Sequence, residues 1–237
     1  MTVRINMWSS PRNLSTAMMY AWRQRDDTTV FDEPLYAHYL RVSGREHPGG
    51  AEVLASQDPN GAQVVRDVLL GEHASPVVFF KQMAKHLVDL DRSFMAQGHN
   101  VLLTREPHDM LTSLQRQVPD ATLADTGFVE LNEILDDLIA RGRAPIVVET
   151  KRLLKDPPRV LQALCDRLEL PWQDSMLSWP AGPKPEDGVW APYWYDGVHR
   201  STGWKPWAAK HVELTPAVAP VLAEALPLYE RLLPYCI

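Results

Sequence analysis

The sequence predicts an α/β fold of three layers, in which a parallel sheet of about five strands carries helices on both faces. Two observations support this prediction. Short apolar runs typical of buried strands alternate with helical patterns, an order that produces βαβ units with right-handed crossovers. The length of 237 residues allows one large domain, over residues 1–237, with a core of its own.

The predicted strands are short runs rich in Val, Leu, Ile and Phe. The run Val-Val-Phe-Phe in the third of them is typical of a strand that is buried on both faces. The strands are predicted at 3–8, 29–32, 76–81, 100–104 and 145–149. Helical patterns between and after them predict helices at about 15–25, 35–43, 60–72, 107–117, 127–142, 157–169 and 214–233.

The composition excludes several classes of protein. An apolar fraction of 45% and a charged fraction of 23% are typical of a globular chain, so disorder, collagen and coiled coil are excluded. The formal net charge of −6 argues against a protein built around nucleic-acid phosphates. Cys165 and Cys236 make neither a zinc spacing nor a disulfide framework. The apolar run at the N-terminus is too short for a signal peptide and no apolar stretch reaches membrane-spanning length, so we expect a cytoplasmic protein without membrane partners. From the net charge we expect no nucleic-acid partner.

Residues 171–207 differ in composition from the rest of the chain. Six of the eight tryptophans lie in this segment, together with six prolines. Prolines at this density predict an irregular backbone, while the aromatic side chains need burial. A long irregular segment in a compact domain is usually a lid or a binding loop. A strap over the back of the sheet is the alternative, and both interpretations stay open.

The polar turn at residues 10–16 follows the first strand and opens the first helix. In open α/β sheets, ligands bind at the carboxyl ends of strands, and a helix N-terminus there attracts anions. Arg12 adds a positive charge, and Ser15 and Thr16 add hydroxyl donors. The loop has no Walker A pattern and no glycine, so we expect Asn13 to take the left-handed backbone conformation. An ordinary turn with an N-cap serine is the alternative.

Two motifs resemble those of the sulfotransferases. The run Ser-Pro-Arg-Asn-Leu-Ser-Thr at 10–16 is similar to their 5′-phosphosulfate loop, particularly the bacterial form Ser-Pro-Arg-Ser-Gly-Ser-Thr, with Leu14 in place of the usual glycine. Residues 105–113 resemble the 3′-phosphate motif, in which an arginine ends a strand and a serine follows eight positions later. The resemblance spans residues 3–117. Residues 199–205 lie where the family has a basic, glycine-bearing nucleotide loop.

The resemblance implies a P-loop-type sheet and transfer of a sulfuryl group from 3′-phosphoadenosine 5′-phosphosulfate to a hydroxyl of a small-molecule acceptor. The aromatic segment favours a sugar, phenol or apolar alcohol as acceptor. No metal is expected, because an arginine and the helix terminus supply the positive charge. No pattern points to a particular oligomeric state. The residues expected to bind the nucleotide are Ser10, Arg12, Asn13, Leu14, Ser15, Thr16, Arg105 and Ser113.

The acceptor hydroxyl needs a base, and two candidates follow predicted strands. Glu33 resembles the acidic residue that some bacterial sulfotransferases place there, although a carboxylate before a proline also caps helices. Residues 81–86 loosely resemble the family's Lys-Thr-His run, in which the lysine assists the leaving group and the histidine is the base. Lys81 and His86 would then take these roles, and Arg12 would stabilise the leaving phosphate.

Three alternatives remain at this stage. A phosphotransferase on the same fold would need a lysine followed by Ser or Thr in the loop and an aspartate that holds a metal. A non-catalytic module would bind a nucleotide or a partner protein without turnover. In the 3′-phosphate motif itself, Arg105 could pair with Glu106 or Asp109, with Ser113 as a small packing residue.

Overall fold

The computed structural model describes residues 2–209 and 212–237. Its strands are β1 (Val3–Ser9), β2 (Thr28–Asp32), β3 (Val77–Met83), β4 (His99–Thr104) and β5 (Ile146–Glu149). They form one parallel sheet in the order β2-β3-β1-β4-β5. The prediction of a parallel α/β sheet with these strands is therefore confirmed. All seven residues of β3 are buried, as the Val-Val-Phe-Phe run predicts.

Helices fill the connections between the strands. The α-helices are α1 (Ser15–Arg23), α2 (Tyr36–Ser43), α3 (Gly50–Ser56), α4 (Gly61–Val64), α5 (Pro107–Leu114), α6 (Leu123–Thr126), α7 (Phe128–Ala140), α8 (Thr150–Lys155), α9 (Pro157–Arg167), α10 (Ala191–Trp194), α11 (Asp196–His199) and α12 (Ala219–Glu230). A π-helical turn at Val65–Leu69 continues α4, and 3₁₀ turns lie at Ala84–Leu87, Arg92–Gln97, Asp174–Leu177 and Leu233–Tyr235. Within the described ranges, no helix combines the length and the apolarity that a membrane crossing requires.

The observed helices differ from the predicted ones where local signals are weak. The sequence pattern misses α3 because only Val53 of that helix is buried, so it shows no apolar face. It also misses α8, which begins directly after β5. There the Glu149 carboxylate accepts hydrogen bonds from the backbone N–H groups of Lys151 and Arg152 and stabilises the first turn.

The aromatic segment is less irregular than its prolines predict. Asp174–Leu177, α10 and α11 are single helical turns, so the expectation of irregular backbone is wrong at these positions. Pro192 lies in the first turn of α10, where the missing N–H would have no partner inside the helix and costs little.

The chain divides into two compact units. The first contains the residues up to Met7, Thr16–Asn100 and Gln173–Trp204. The second contains Trp8–Ser15, Val101–Trp172 and Lys205–Ile237.

In the first unit, the indole of Trp22 on α1 stacks on Phe79 of β3, with ring centroids 5.0 Å apart. Met18 and Met19 of α1 are also fully buried. The register of β2 on β3 places Asp32 opposite Lys81. Packing of apolar side chains thus brings a carboxylate and an ammonium group side by side at the carboxyl ends of two strands.

In the second unit, α5 packs with α7 and α12 around a core that includes Met110, Phe128 and Tyr229. The Asn132 amide on α7 donates to the carbonyls of Phe128 and Leu228, at 2.9 and 3.0 Å. The second of these hydrogen bonds links α7 to α12. This core fixes α5, the helix that follows Arg105, against the rest of the unit.

Candidate functional site

The loop between β1 and α1 has an unusual backbone for a segment without glycine. Arg12 and Leu14 have φ angles of 62° and 66°, in the left-handed region. The prediction that Asn13 takes this conformation is wrong, because its side chain is used elsewhere. It is fully buried, and its amide donates to the carbonyl of Leu103 at 3.0 Å. Leu14 thus adopts the backbone conformation that glycine favours at this position in the similar loops.

Residues that directly follow β4 and β5 form hydrogen bonds with the backbone of this loop. The Arg105 guanidinium donates from Nη1 to the carbonyl of Arg12 at 2.8 Å. The Thr150 hydroxyl lies 3.1 Å from the carbonyl of Asn13 and 2.9 Å from that of Thr104. The loop backbone is therefore bonded to residues that follow the ends of both strands.

The two sequence motifs meet through their side chains as well. Arg12 donates from Nε to the hydroxyl of Ser113 on α5, at 3.0 Å. Burial lowers the pKa of the Arg12 guanidinium, and the positive charges of Arg105 and Arg116 lower it further. Burial also lowers the pKa of Arg105. The two guanidinium groups therefore lie where a positive charge is disfavoured, and a bound anion would relieve that cost.

Buried polar atoms near the loop lack partners. Among the described residues, neither the Ser10 hydroxyl nor Nε of Arg105 has a hydrogen-bond partner. Buried polar groups are normally hydrogen-bonded, so unpaired ones require an explanation. Both groups can donate to an anion. The arrangement therefore fits a phosphate or sulfate group at this loop.

Two acidic residues, Glu106 and Asp109, lie close to Arg105 in the sequence. The Glu106 carboxylate accepts from the backbone N–H of Asp109, at 2.9 Å, and caps α5. Ser113 accepts from Arg12, so it is more than a small packing residue. Ligand atoms of Glu106, His108 and Asp109 lie within 4.8 Å of one another, a grouping that could hold a metal ion. The helix cap already uses one of these carboxylates.

A second polar cluster lies in the first unit, around Lys81. Its ammonium group is 1% exposed and lies 2.8 Å from Asp32, 2.5 Å from Glu33 and 2.6 Å from the hydroxyl of Tyr195. An ammonium group has three N–H donors, and three acceptors surround this one. In this arrangement the Lys81 ammonium group is bonded to the two carboxylates of the cluster and to Tyr195. The sequence analysis instead predicts that Lys81 assists the leaving group.

The aromatic segment contributes Tyr195, which the sequence does not single out as a site residue. Its hydroxyl donates to the Asp32 carboxylate at 2.8 Å and accepts from Lys81 and from the indole Nε1 of Trp190, the latter at 2.9 Å. The backbone N–H of Gly188 also donates to Asp32, at 3.0 Å. The enrichment in tryptophan and tyrosine is the sequence signal that marks this segment. It does not show which of these side chains reaches β2 and β3.

The charges of this cluster do not balance. Burial alone would lower the pKa of Lys81, but the charges of Asp32 and Glu33 outweigh burial and hold it well above its ordinary value. Burial raises the pKa of Glu33, and the Asp32 charge raises it further against the opposing effect of Lys81. With both acids ionised the three groups carry one net negative charge, so a proton on Glu33 makes the cluster neutral.

His86 is kept uncharged beside Glu33. Its ring stacks between those of Tyr36 and Tyr39, with both centroid distances 4.8 Å. Nδ1 lies 3.9 Å from the Glu33 carboxylate and makes no hydrogen bond to any residue that the structure describes. Burial, and after it the charge of Lys85, holds the pKa of His86 well below its ordinary value.

The structure therefore groups the predicted site residues into two sets. Glu33, Lys81 and His86 come together in the first unit. In the second unit the loop contacts residues 105–113 directly. Ser15 and Thr16 open α1, as predicted. The members of the second set are Ser10, Arg12, Asn13, Leu14, Arg105 and Ser113.

A parallel sheet whose first strand leads through a phosphate-type loop into a helix is the architecture of P-loop-type α/β proteins. Residues 3–233 match the sulfotransferase domain family, which is almost the whole chain. The chain belongs to this family.

Two solved structures share the fold at low sequence identity. The sulfotransferase domain of the Synechococcus PCC 7002 olefin synthase is 16% identical, with a TM-score of 0.55, and the match covers 95% of this chain and 94% of that one. The sulfotransferase from Alicyclobacillus acidocaldarius is 13% identical, with a TM-score of 0.54, and the match covers 98% of this chain and 94% of that one.

A more similar sequence occurs in a longer protein. The branched-chain-amino-acid aminotransferase-like protein 1 of Arabidopsis thaliana is 42% identical, and the match covers 96% of this chain and 41% of that protein. The chain thus spans about two fifths of this curated relative's length.

Because Leu14 has a left-handed backbone, we expect glycine to be more stable than valine at this position, the reverse of their order in a helix. Leu14→Gly should unfold with a free energy about 1–2 kcal/mol higher than Leu14→Val, because valine is disfavoured in the left-handed region. Urea unfolding of both variants measures the difference. Leu54, which is 43% exposed on α3, provides the control, since in a helix valine should be more stable than glycine there. The same order at both positions would contradict the assigned backbone.

The raised pKa of Glu33 predicts a pH-dependent stability. The contribution of its bound proton is complete below the unfolded pKa, near 4.5, and is lost as the pH rises through the folded pKa. Glu33→Gln mimics the protonated form, so its free energy of unfolding should rise relative to the wild type as the pH increases from about 4.5. Urea titrations from acidic to alkaline pH measure this difference, with exposed Glu72→Gln as control. A difference that falls or stays constant with pH would contradict the assignment.

Proposed function

We propose that this domain transfers a sulfuryl group from 3′-phosphoadenosine 5′-phosphosulfate to a hydroxyl of a small-molecule acceptor. One observation supports this most directly: Arg12 of the loop donates to Ser113 of the second motif, and Arg105 donates to the carbonyl of Arg12. The two motifs that resemble the 5′ and 3′ sites of the family thus form one hydrogen-bonded group. Such a group suits a nucleotide that carries an anionic group at each of these two positions.

We assign each part of the nucleotide to the donors that lie around the loop. The Ser10 hydroxyl, the Arg12 guanidinium and the start of α1, with Ser15 and Thr16, would bind the phosphosulfate. Arg105 and Ser113 would bind the 3′-phosphate, through the unpaired Nε of the arginine and the serine hydroxyl. The bound nucleotide supplies the sulfuryl group on a phosphate that then leaves. Arg12 would stabilise the negative charge that develops on that phosphate.

Glu33 is our candidate for the base that takes the acceptor proton. Lys81 holds its Oε1, which leaves Oε2 as the atom that can receive a proton. Burial has opposite effects on the two predicted bases: it raises the proton affinity of Glu33 and lowers that of His86. We therefore favour Glu33 as the base, Lys81 as the group that positions it, and His86 as a neutral packing partner.

The loop sequence argues against the phosphotransferase alternative, because no lysine lies in residues 10–16. A non-catalytic module that binds the nucleotide differs from the proposed function only in turnover. Binding and product formation therefore have to be measured separately.

Nucleotide binding tests the assignment of the two motifs. The wild type should bind 3′-phosphoadenosine 5′-phosphate more tightly than AMP, which lacks the 3′-phosphate. Arg105→Ala should weaken the first ligand by about 10- to 150-fold, because hydrogen bonds to charged groups contribute about 1.5–3 kcal/mol. The loss for AMP should be smaller, since it reflects only the bond from Arg105 to the loop. Calorimetric titration of both ligands measures the two losses.

Arg159→Ala provides the matched control for this titration. It removes an arginine whose side chain is 56% exposed on α9 and whose carboxylate partner is Asp156. We expect it to bind both nucleotides like the wild type. A wild type that binds AMP as tightly as 3′-phosphoadenosine 5′-phosphate would overturn the assignment of the 3′ site.

Turnover tests the assignment of the base. Glu33→Gln should lower kcat by about 10²–10⁴-fold, the usual contribution of a general base, and leave the affinity for 3′-phosphoadenosine 5′-phosphate unchanged. Product formation is measured across phenols, sugars and apolar alcohols. A fully active Glu33→Gln together with an inactive His86→Ala would show that His86 is the base. Tight nucleotide binding without product from any acceptor would favour the non-catalytic module.

A further inference from the structure

Thr150 occupies a position that none of the sequence motifs includes. It follows β5 directly, is 1% exposed and opens α8. The register of β4 on β5 pairs Thr104 with Glu149, so the next residue, Thr150, passes the end of β4. Its hydroxyl oxygen lies 2.9 Å from the carbonyl oxygen of Thr104 and 3.1 Å from that of Asn13, so its single proton is shared between two acceptors.

The direction of the loop carbonyls determines the direction of its amides. The carbonyl of Arg12 is bonded to Arg105 and that of Asn13 to Thr150. No described peptide bond is cis, and in a trans peptide the N–H points opposite to the C=O. The N–H groups of Asn13 and Leu14 are therefore directed away from these two side chains. Successive backbone N–H groups that point to one side of a turn can form an anion-binding concavity.

The loop needs these hydrogen bonds to its carbonyls because its own sequence does not favour its backbone conformation. Arg12 and Leu14 both lie in the left-handed region, with Asn13 between them. Residues in this region persist only where the surrounding structure holds them. Of the side chains that hold the loop carbonyls, Arg105 is also a proposed ligand of the nucleotide. Thr150 is uncharged, and its hydroxyl is already shared between two carbonyls.

We propose that Thr150 is a positioning residue for the phosphate loop. Its hydroxyl fixes the Asn13–Leu14 peptide so that the loop amides face the 5′ side of the nucleotide, and it does so without contacting the nucleotide. This inference rests on the proposed function for the identity of the ligand. The geometry of the loop itself is independent of that function and can be measured in the free protein.

Two substitutions separate the hydroxyl from the rest of the side chain. Thr150→Val keeps the shape and removes the donor, whereas Thr150→Ser keeps the donor. Thr150→Val should weaken 3′-phosphoadenosine 5′-phosphate and AMP by the same factor, about 3- to 10-fold, because it alters the loop and leaves the 3′ site in place. Thr150→Ser should restore both affinities. In the free protein, amide hydrogen exchange of residues 10–16 should be faster in Thr150→Val and unchanged in Thr150→Ser.

Asn132→Leu is the matched control, since Asn132 is also buried in the second unit and also donates to two carbonyls. It should lower the free energy of unfolding and leave both the nucleotide affinities and the exchange of residues 10–16 unchanged. A Thr150→Val protein that behaves like Asn132→Leu would overturn the inference. If the wild type binds neither nucleotide, the proposed function fails, and loop exchange alone then decides the inference: faster exchange in Thr150→Val supports it and unchanged exchange overturns it.

Discussion

The loop between β1 and α1 depends on hydrogen bonds from outside itself. A loop with glycine at the position of Leu14 could reach the left-handed conformation at little cost. Here a leucine takes that conformation, so the path of the loop is determined by the residues that hold its carbonyls, Arg105 and Thr150. The Arg12 guanidinium belongs to the same loop and donates to the hydroxyl of Ser113. The loop, the end of β4 and the start of α8 are therefore best regarded as one structural element.

The first unit is subject to a different constraint, the burial of charge. Removing an ammonium group and two carboxylates from water is costly, and the arrangement is stable only if their hydrogen bonds are satisfied. Lys81 has three acceptors, and the Tyr195 hydroxyl completes the set because it donates to Asp32 and accepts from Lys81 and Trp190. The aromatic segment thus supplies a neutral hydroxyl in a cluster whose ionised groups leave one negative charge in excess.

The sequence predicts those features that depend on local patterns. Apolar runs mark the strands, and Ser113 lies on the helix that follows Arg105, so the strands and this pair of residues could be predicted. The left-handed residues could not, because Asn13 is drawn to the carbonyl of Leu103, 90 positions away. Tyr195 reaches Lys81 across 114 positions and Thr150 reaches Asn13 across 137. Contacts of this range leave no periodic signal in a single sequence.

The two polar clusters differ in the sign of their electrostatic imbalance. Around the loop, burial and neighbouring cations lower the pKa of Arg12, so the protein disfavours the positive charge that the site carries. Around Lys81, burial and a neighbouring anion raise the pKa of Glu33, so the protein disfavours its negative charge. An anion would relieve the first imbalance and a proton the second. The sulfuryl transfer that we propose needs both a site for an anionic donor and an acceptor for a proton, and each cluster is perturbed in the direction that suits one of these tasks.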